Sequence, residues 1–256
     1  MNIPHETQLS LFDARDPATP LSVRHSRRAR RLSVRVHVGG RVEVVVPPRT
    51  AERTVREFVA RHREWIEARR ERALRDRPAP AAFPPASIDL AAFGESWELR
   101  QVPGPGRARL IARLMSGEGP RGRLELHGAP AGPDMVRPLL RAWVGIRAGA
   151  GLAPRLAALA QAAGFRYGRM VVRRQRTRWG SCSTRGTISL NACLAFQRPE
   201  VVQYLLLHEL AHTRHMNHSA AFWRLVAAHE PDWRALDREL LAGWRRVPGW
   251  MMNDDD

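Results

Sequence analysis

The sequence predicts an α+β fold, with a histidine-bearing helix preceded by short strands and, N-terminal to these, a β-hairpin and helix. Three observations predict this. Short runs with strand-type alternation or β-branched residues occur on both sides of a proline-rich stretch near residue 80. Two long stretches, 50–75 and 133–163, carry apolar residues at helical spacing. His208 and His212 stand at i and i+4 inside an apolar run, and a helix puts such a pair on one face, one turn apart.

The elements follow in chain order. Residues 1–20 are polar, contain Pro4, Pro17 and Pro20, and read as a flexible tail. Residues 21–76 read as a basic hairpin-and-helix subdomain. Leu32–His37 and Val42–Val46 flank Gly39-Gly40 as a hairpin, and Pro47-Pro48 ends it. A helix from Thr50 to Arg75 then places Val55, Phe58, Val59, His62, Trp65 and Ile66 on one face. Residues 77–88, with Pro78, Pro80, Pro84 and Pro85, read as a stiff linker to a domain over 89–248. In that domain strands are expected near 96–102, 108–114 and 123–127. A helical stretch follows over 133–163, with a break near Gly149–Pro154. Strands Met170–Arg174 and Thr187–Leu194 bracket the loop 176–184, and the histidine helix comes next. Residues 249–256, ending in Asp254-Asp255-Asp256, read as an acidic, solvated tail.

Composition narrows the function classes. A hydrophobic share of 44 % is enough for a real core in a chain of 256 residues. No run approaches the ~20 apolar residues of a membrane span, and two cysteines, Cys182 and Cys193, make no disulfide framework. The N-terminus carries Glu6, Asp13 and Asp16 rather than an apolar leader, so a soluble, cytoplasmic protein is expected, with no membrane partner. The formal charge is +17, and every one of the 42 basic residues is Arg. One reading is compositional drift onto a solvated surface. The sharper one is a polyanion partner such as DNA, contacted through the densest cluster, Arg24, Arg27, Arg28, Arg30 and Arg31.

The chemistry concentrates at His208-Glu209-Leu210-Ala211-His212 and His218. Two imidazoles one helical turn apart can share one Zn²⁺ at about 2.0–2.1 Å. Glu209 adjoins the first ligand and can serve as general base to a water on the metal. His218 lies far enough on for the chain to leave the helix and return a third ligand, leaving a fourth position for water. Pro199 and Glu200 suit the first turn of this helix, and Val201, Val202, Leu205, Leu206 and Leu210 give it an apolar face. The plainer alternative is a buried helix whose histidines only hydrogen-bond in the core. Cys182 as a fourth ligand would close the site and make it structural. His215, His229, Glu230 and Asp232 are the other candidate ligands nearby.

The run Arg178-Trp179-Gly180-Ser181-Cys182-Ser183, then Ile188-Ser189-Leu190-Asn191, Tyr204, the pentapeptide, Asn217-His218-Ser219 and Phe222-Trp223 resembles the YgjP-like metallopeptidase domain, a relative of SprT-like and other zincin proteins. The resemblance is strongest over 170–234 and looser over 21–72. It implies a zincin-like metallohydrolase domain with an active-site helix beside a small mixed sheet, His208, His212 and His218 as zinc ligands, and Glu209 as base. It also implies that a strand beside the helix, here Thr187–Leu194, is the edge along which an extended peptide lies. The third-ligand spacing equals that of metzincins, but His215 stands where those carry Gly, so the turn must be made otherwise, with Asn217 a candidate for a left-handed conformation. Arg178, Tyr204 and Asn191 are candidate substrate or transition-state contacts. The loop around Arg178–Cys182 reads equally as a buttress of the metal helix.

Gln8-Leu9-Ser10-Leu11-Phe12 looks like the linear motif by which many bacterial proteins dock on the replicative sliding clamp, with Leu9, Leu11 and Phe12 for an apolar pocket and Gln8 for an orienting hydrogen bond. The alternative is that these residues pack back as a short strand. Three function classes therefore stand. The first is a zinc peptidase acting on peptide or protein, near DNA if the Arg surface and the motif are both used. The second is a metal-dependent hydrolase of nucleoside triphosphates or other phosphoanhydrides. The third is a clamp- or DNA-recruited binding module with a structural zinc. No P-loop or Mg²⁺-type carboxylate cluster favours the second.

Overall fold

The computed structural model describes residues 21–37, 40–75, 82–114, 121–128 and 132–252. The pentapeptide Gln8–Phe12 and the terminal aspartates lie outside the described residues. The chain divides into two compact units, Met1–Arg77 and Pro78–Asp256. Among the described residues no helix is long and apolar enough to cross a membrane.

In the first unit, β1 (Leu21–His25), β2 (Ser33–Val36) and β3 (Val42–Val46) form a sheet in the order β1-β3-β2. β2 and β3 are the expected antiparallel hairpin, with Val36 opposite Val42. β1 adds in parallel along the other side of β3, with Val23 beside Val44. The sequence did not indicate this strand, because only Leu21 and Val23 mark its inner face. Val23, Val42, Val44 and Val46 pack against Val55, Val59 and Ile66. The predicted single helix is two, α1 (Glu52–Arg61) and α2 (Arg63–Arg75). His62 separates them, with φ −104 and ψ 9 and its Nδ1 bonded to the Phe58 carbonyl at 2.7 Å.

The second unit opens with β4 (Ser87–Leu90), β5 (Glu95–Pro103), β6 (Arg109–Leu114) and β7 (Arg121–Gly128), ordered β4-β5-β7-β6. β5 and β7 are parallel and the outer pairs antiparallel. Gly122 lies opposite Trp97, and a Cβ there would come within 2.2 Å of the indole. Ile88 is buried and Phe83 half-buried against the core, so part of the predicted linker belongs to this unit.

α3 (Pro133–Ala162) runs without the predicted break. Pro154 removes one backbone hydrogen bond, but the buried stripe Leu140, Val144, Ala148, Leu152 and Leu156 continues through it, and each such leucine contributes about 2 kcal/mol. Gly151 admits the Phe93 ring, which a Cβ would meet at 2.4 Å.

β8 (Arg169–Arg173), β9 (Gly180–Cys182) and β10 (Thr187–Asn191) form the third sheet, ordered β8-β10-β9. The expectation of an edge strand over Thr187–Leu194 is corrected here. β10 is central, parallel to β8 and antiparallel to β9. It ends at Asn191, whose Oδ1 accepts from Cys193 N at 3.1 Å to start a 3-10 turn over Ala192–Phe196. The chain closes with α4 (Pro199–Ala211), α5 (Ala220–His229), α6 (Trp233–Ala242) and α7 (Gly249–Met252). Trp250 and Met251 are buried, and Arg141 Nε donates to the Trp250 carbonyl at 2.7 Å, so the core reaches past residue 248 into the stretch expected as tail.

Candidate metal centre

α4 is apolar almost all round, which marks a helix enclosed by its own domain rather than laid on a surface. Pro199 occupies its first turn, and Arg198 at the N-cap makes no side-chain cap bond. Its C-terminal turn carries His208, Glu209 and, at the cap, His212. The chain then turns through Thr213 N→Leu210 O, Arg214 N→Ala211 O and His215 N→Ala211 O bonds. Asn217 is not left-handed, since Arg49 is the one non-glycine with positive φ among the described residues. Ser219 caps α5, its Oγ accepting from Phe222 N at 3.4 Å, and this fixes His218 just before the helix.

The three imidazoles converge. His208 Nε2 lies 3.2 Å from His212 Nε2 and 3.1 Å from His218 Nε2, and the ligand atoms of all three lie within 4.8 Å of one another. Phe222, fully buried, packs against all three rings with centroids 4.6–4.9 Å away. The exposed His218 stacks on Trp223 (5.5 Å, 21°), which stacks in turn on Trp233 (4.1 Å, 15°).

The outer nitrogens fix the tautomers. His212 Nδ1 donates to the His215 carbonyl at 3.0 Å. Tyr204 donates its hydroxyl to Asp237 Oδ1 at 2.9 Å, so its oxygen is left to accept from His208 Nδ1 at 3.4 Å. Both bonds leave Nε2 as a bare lone pair. Burial, with the two neighbouring rings, pushes His208 down to about 3, and burial also lowers His212. Neutral imidazoles whose lone pairs face one another at 3.1–3.2 Å repel unless a cation lies between them. The donor set therefore fits a divalent metal.

Glu209 is buried, and its Oε2 has no hydrogen-bond partner among the described residues. Burial pushes its carboxyl up to about 8 against the pull of the Arg178 charge. A Cβ on Gly180 would stand 2.4 Å from Glu209 Oε1. Gly180 thus serves close approach between β9 and α4.

The remaining candidates fall into place around this centre. Arg178 is exposed. Asn191 is buried, with its amide donating to the carbonyls of Gln175 and Arg178, each at 2.8 Å. Tyr204 is buried beneath His208, and its hydroxyl is held well above its ordinary pKa, by burial first and by Asp237 next. Trp179 is buried and stacks on Trp244 at 4.1 Å. Cys182 is outside the ligand group and contacts the Ser183 carbonyl at 3.5 Å. His215 serves through its carbonyl, His229 packs on Phe165, and Glu230 Oε1 accepts from Asp232 N at the start of α6. Arg24, Arg27, Arg28, Arg30 and Arg31 belong to the first unit. Asp237 was missed by sequence reasoning. Its signal is position: it lies four residues after Trp233 and three before Leu240, on the apolar side of α6.

A family profile described as "YgjP-like, metallopeptidase domain" matches residues 30–242. Among solved structures, the metallopeptidase zymogen of Pyrococcus abyssi abylysin is 23 % identical, with 38 % of this chain and 98 % of that chain covered and a TM-score of 0.35. The metallopeptidase zymogen of Methanocaldococcus jannaschii jannalysin is 15 % identical, with 35 % and 93 % covered and a TM-score of 0.32. Neither likeness is strong enough to carry an argument. No curated protein matches.

Proposed function

This chain belongs to the YgjP-like metallopeptidase domain family, and on that premise we propose that it is a zinc-dependent peptidase, with Glu209 as its proton-handling group and an extended peptide lying along β9. The observation that carries the reading is the convergence of three neutral imidazole nitrogens beside a buried carboxylate. Three nitrogen donors suit zinc better than Mg²⁺ or Ca²⁺. Zinc bound there supplies Lewis acidity, activating a water and polarising the scissile carbonyl.

The chain's own residues do the rest. Glu209 takes the proton of the attacking water and returns it to the leaving amine. Burial strips water from the Glu209 carboxylate and raises its affinity for a proton, which favours taking one from the water. Asp237 and Tyr204 orient His208, and the His215 carbonyl orients His212. Asn191 holds the Arg178 carbonyl and so the approach to β9. β9 ends its sheet, so its outer backbone groups can pair with a substrate strand. Arg178 offers positive charge to the developing oxyanion.

The test is cleavage of unfolded casein by zinc-loaded protein, wild type beside Glu209→Gln. The variant should keep its metal and lose turnover about 10²–10⁴-fold; undiminished turnover contradicts the assignment. A phosphoanhydride hydrolase is the second reading, favoured by the exposed Arg178 beside Glu209. Pyrophosphate release from nucleoside triphosphates without casein cleavage would establish it, and bound zinc with neither activity would leave a binding module.

A further inference from the structure

In the first unit, β1 and β3 run parallel with His25 beside Val46, and β2 begins with Ser33 opposite Val45. Ser26 N donates to Val46 O at 2.9 Å. The β1–β2 connection (26–32) and the β3–α1 connection (47–51) therefore leave from the same end of the sheet. These two connections carry Arg27, Arg28, Arg30, Arg31 and Arg49, every one exposed. None of the five forms an ion pair or side-chain hydrogen bond with another described residue. Several other arginines of the unit are engaged: Arg24 and Arg35 flank Glu43 at 3.1 and 3.8 Å, Arg53 pairs with Glu57 at 2.8 Å, and Arg63 pairs with Glu67 at 3.8 Å. Arg61, Arg69 and Arg75, like the five, are unpaired among the described residues but are spread along the helices. Across residues 21–75, 16 Arg stand against 6 Glu, which places +10 of the chain's +17 in this stretch.

We propose that this end of the sheet is a binding surface for the phosphodiester backbone of a nucleic acid. Neighbouring strands lie about 4.8 Å apart, so the three strand ends from which the two arginine-bearing connections leave span about 10 Å. Unpaired like charges held this close repel one another, and a polyanion relieves the repulsion. The guanidinium fork takes two oxygens of one phosphate, which favours phosphate over an isolated carboxylate side chain. The exposed large apolar residues of the unit, Trp65 and Leu74, are on α2 and not on either connection. Neither connection carries an aromatic residue to stack on a base, so recognition by these arginines is of backbone without sequence readout. The structure also redraws the cluster seen in the sequence. Arg24 is tied to Glu43, and Arg49, far away along the chain, joins the other four.

The test titrates the full chain with a fluorescent DNA duplex of about 20 base pairs, and with single-stranded RNA of similar length, across a salt series. Log affinity should fall linearly with log salt. Replacing Arg27, Arg28, Arg30, Arg31 and Arg49 by Ala should weaken binding at least ~10-fold at low salt and flatten the slope by up to about 4. The corresponding Arg→Gln set, which keeps side-chain length, should lose as much. A control set removing the same charge from the helices (Arg53, Arg56, Arg63, Arg69 and Arg75 to Ala) should keep most of the affinity. Melting curves of all sets establish that any loss is not unfolding. Unchanged binding by the first two sets, an equal loss by the control, or tighter retention on phosphatidylserine vesicles than on either nucleic acid overturns the proposal.

Discussion

Tyr204 donates its hydroxyl to Asp237 at 2.9 Å and turns its oxygen toward Nδ1 of His208 at 3.4 Å, so an acid on α6 fixes the tautomer of an imidazole on α4. Partners of this kind behind a metal ligand typically hold 10–100-fold of metal affinity. Tyr204→Phe should therefore weaken zinc binding by about that factor, read by competition with a chromophoric chelator. Asp237→Asn keeps an acceptor and should lose less. Because Tyr204 is buried, loss of its hydroxyl should also lower metal-free stability by about 1–3 kcal/mol. Wild-type zinc affinity in both variants would remove the pair from any role in the centre.

Gly180→Ala tests the contact between β9 and Glu209. Its Cβ would stand 2.4 Å from Oε1 and 2.9 Å from Cδ of Glu209, so the carboxylate must move. Turnover should fall about 10²-fold, while zinc content, set by the histidines, stays the same. Full activity in the Gly180→Ala protein would show that the carboxylate needs no fixed seat.

The metal-free protein should show a pH signature. Glu209 is raised to about 8, so the stability tied to its proton is complete below its unfolded value near 4.5 and is lost as pH rises through 8. Metal-free Glu209→Gln should therefore gain in melting temperature over wild type between pH 5 and 8. His208 has the opposite sign. Lowered to about 3, it contributes stability that is complete above its unfolded value near 6.5 and is lost as pH falls toward 3, at no more than about 1.4 kcal/mol per pH unit. A difference between the two proteins that does not change with pH would mean that Glu209 does not titrate in this range.

What could be read from the sequence divides along the range of the interactions. His208, Glu209, His212 and His218 were legible because helical spacing alone puts the first three together and ten residues are enough to return the last. The strands β5, β6 and β7 and the helical stretch of α3 were legible from periodicity. Asp237 behind Tyr204 and Phe222 beneath the three rings were not, since each meets its partners only through tertiary packing. Strand order was equally hidden: β10 reads as well for an edge as for the centre, and only its pairing with both β8 and β9 moves the open edge to Gly180–Cys182. The run through Pro154 shows burial overriding a local helix breaker.

The most direct measurement of the central claim is zinc content by mass spectrometry after loading and desalting, wild type beside His218→Ala. His218 is exposed, so its removal spares the core while taking one of three converging nitrogens. A three-histidine centre predicts about one zinc per chain in wild type and a binding constant at least tenfold weaker in the variant. Equal zinc in the two proteins would contradict it and place the third ligand elsewhere.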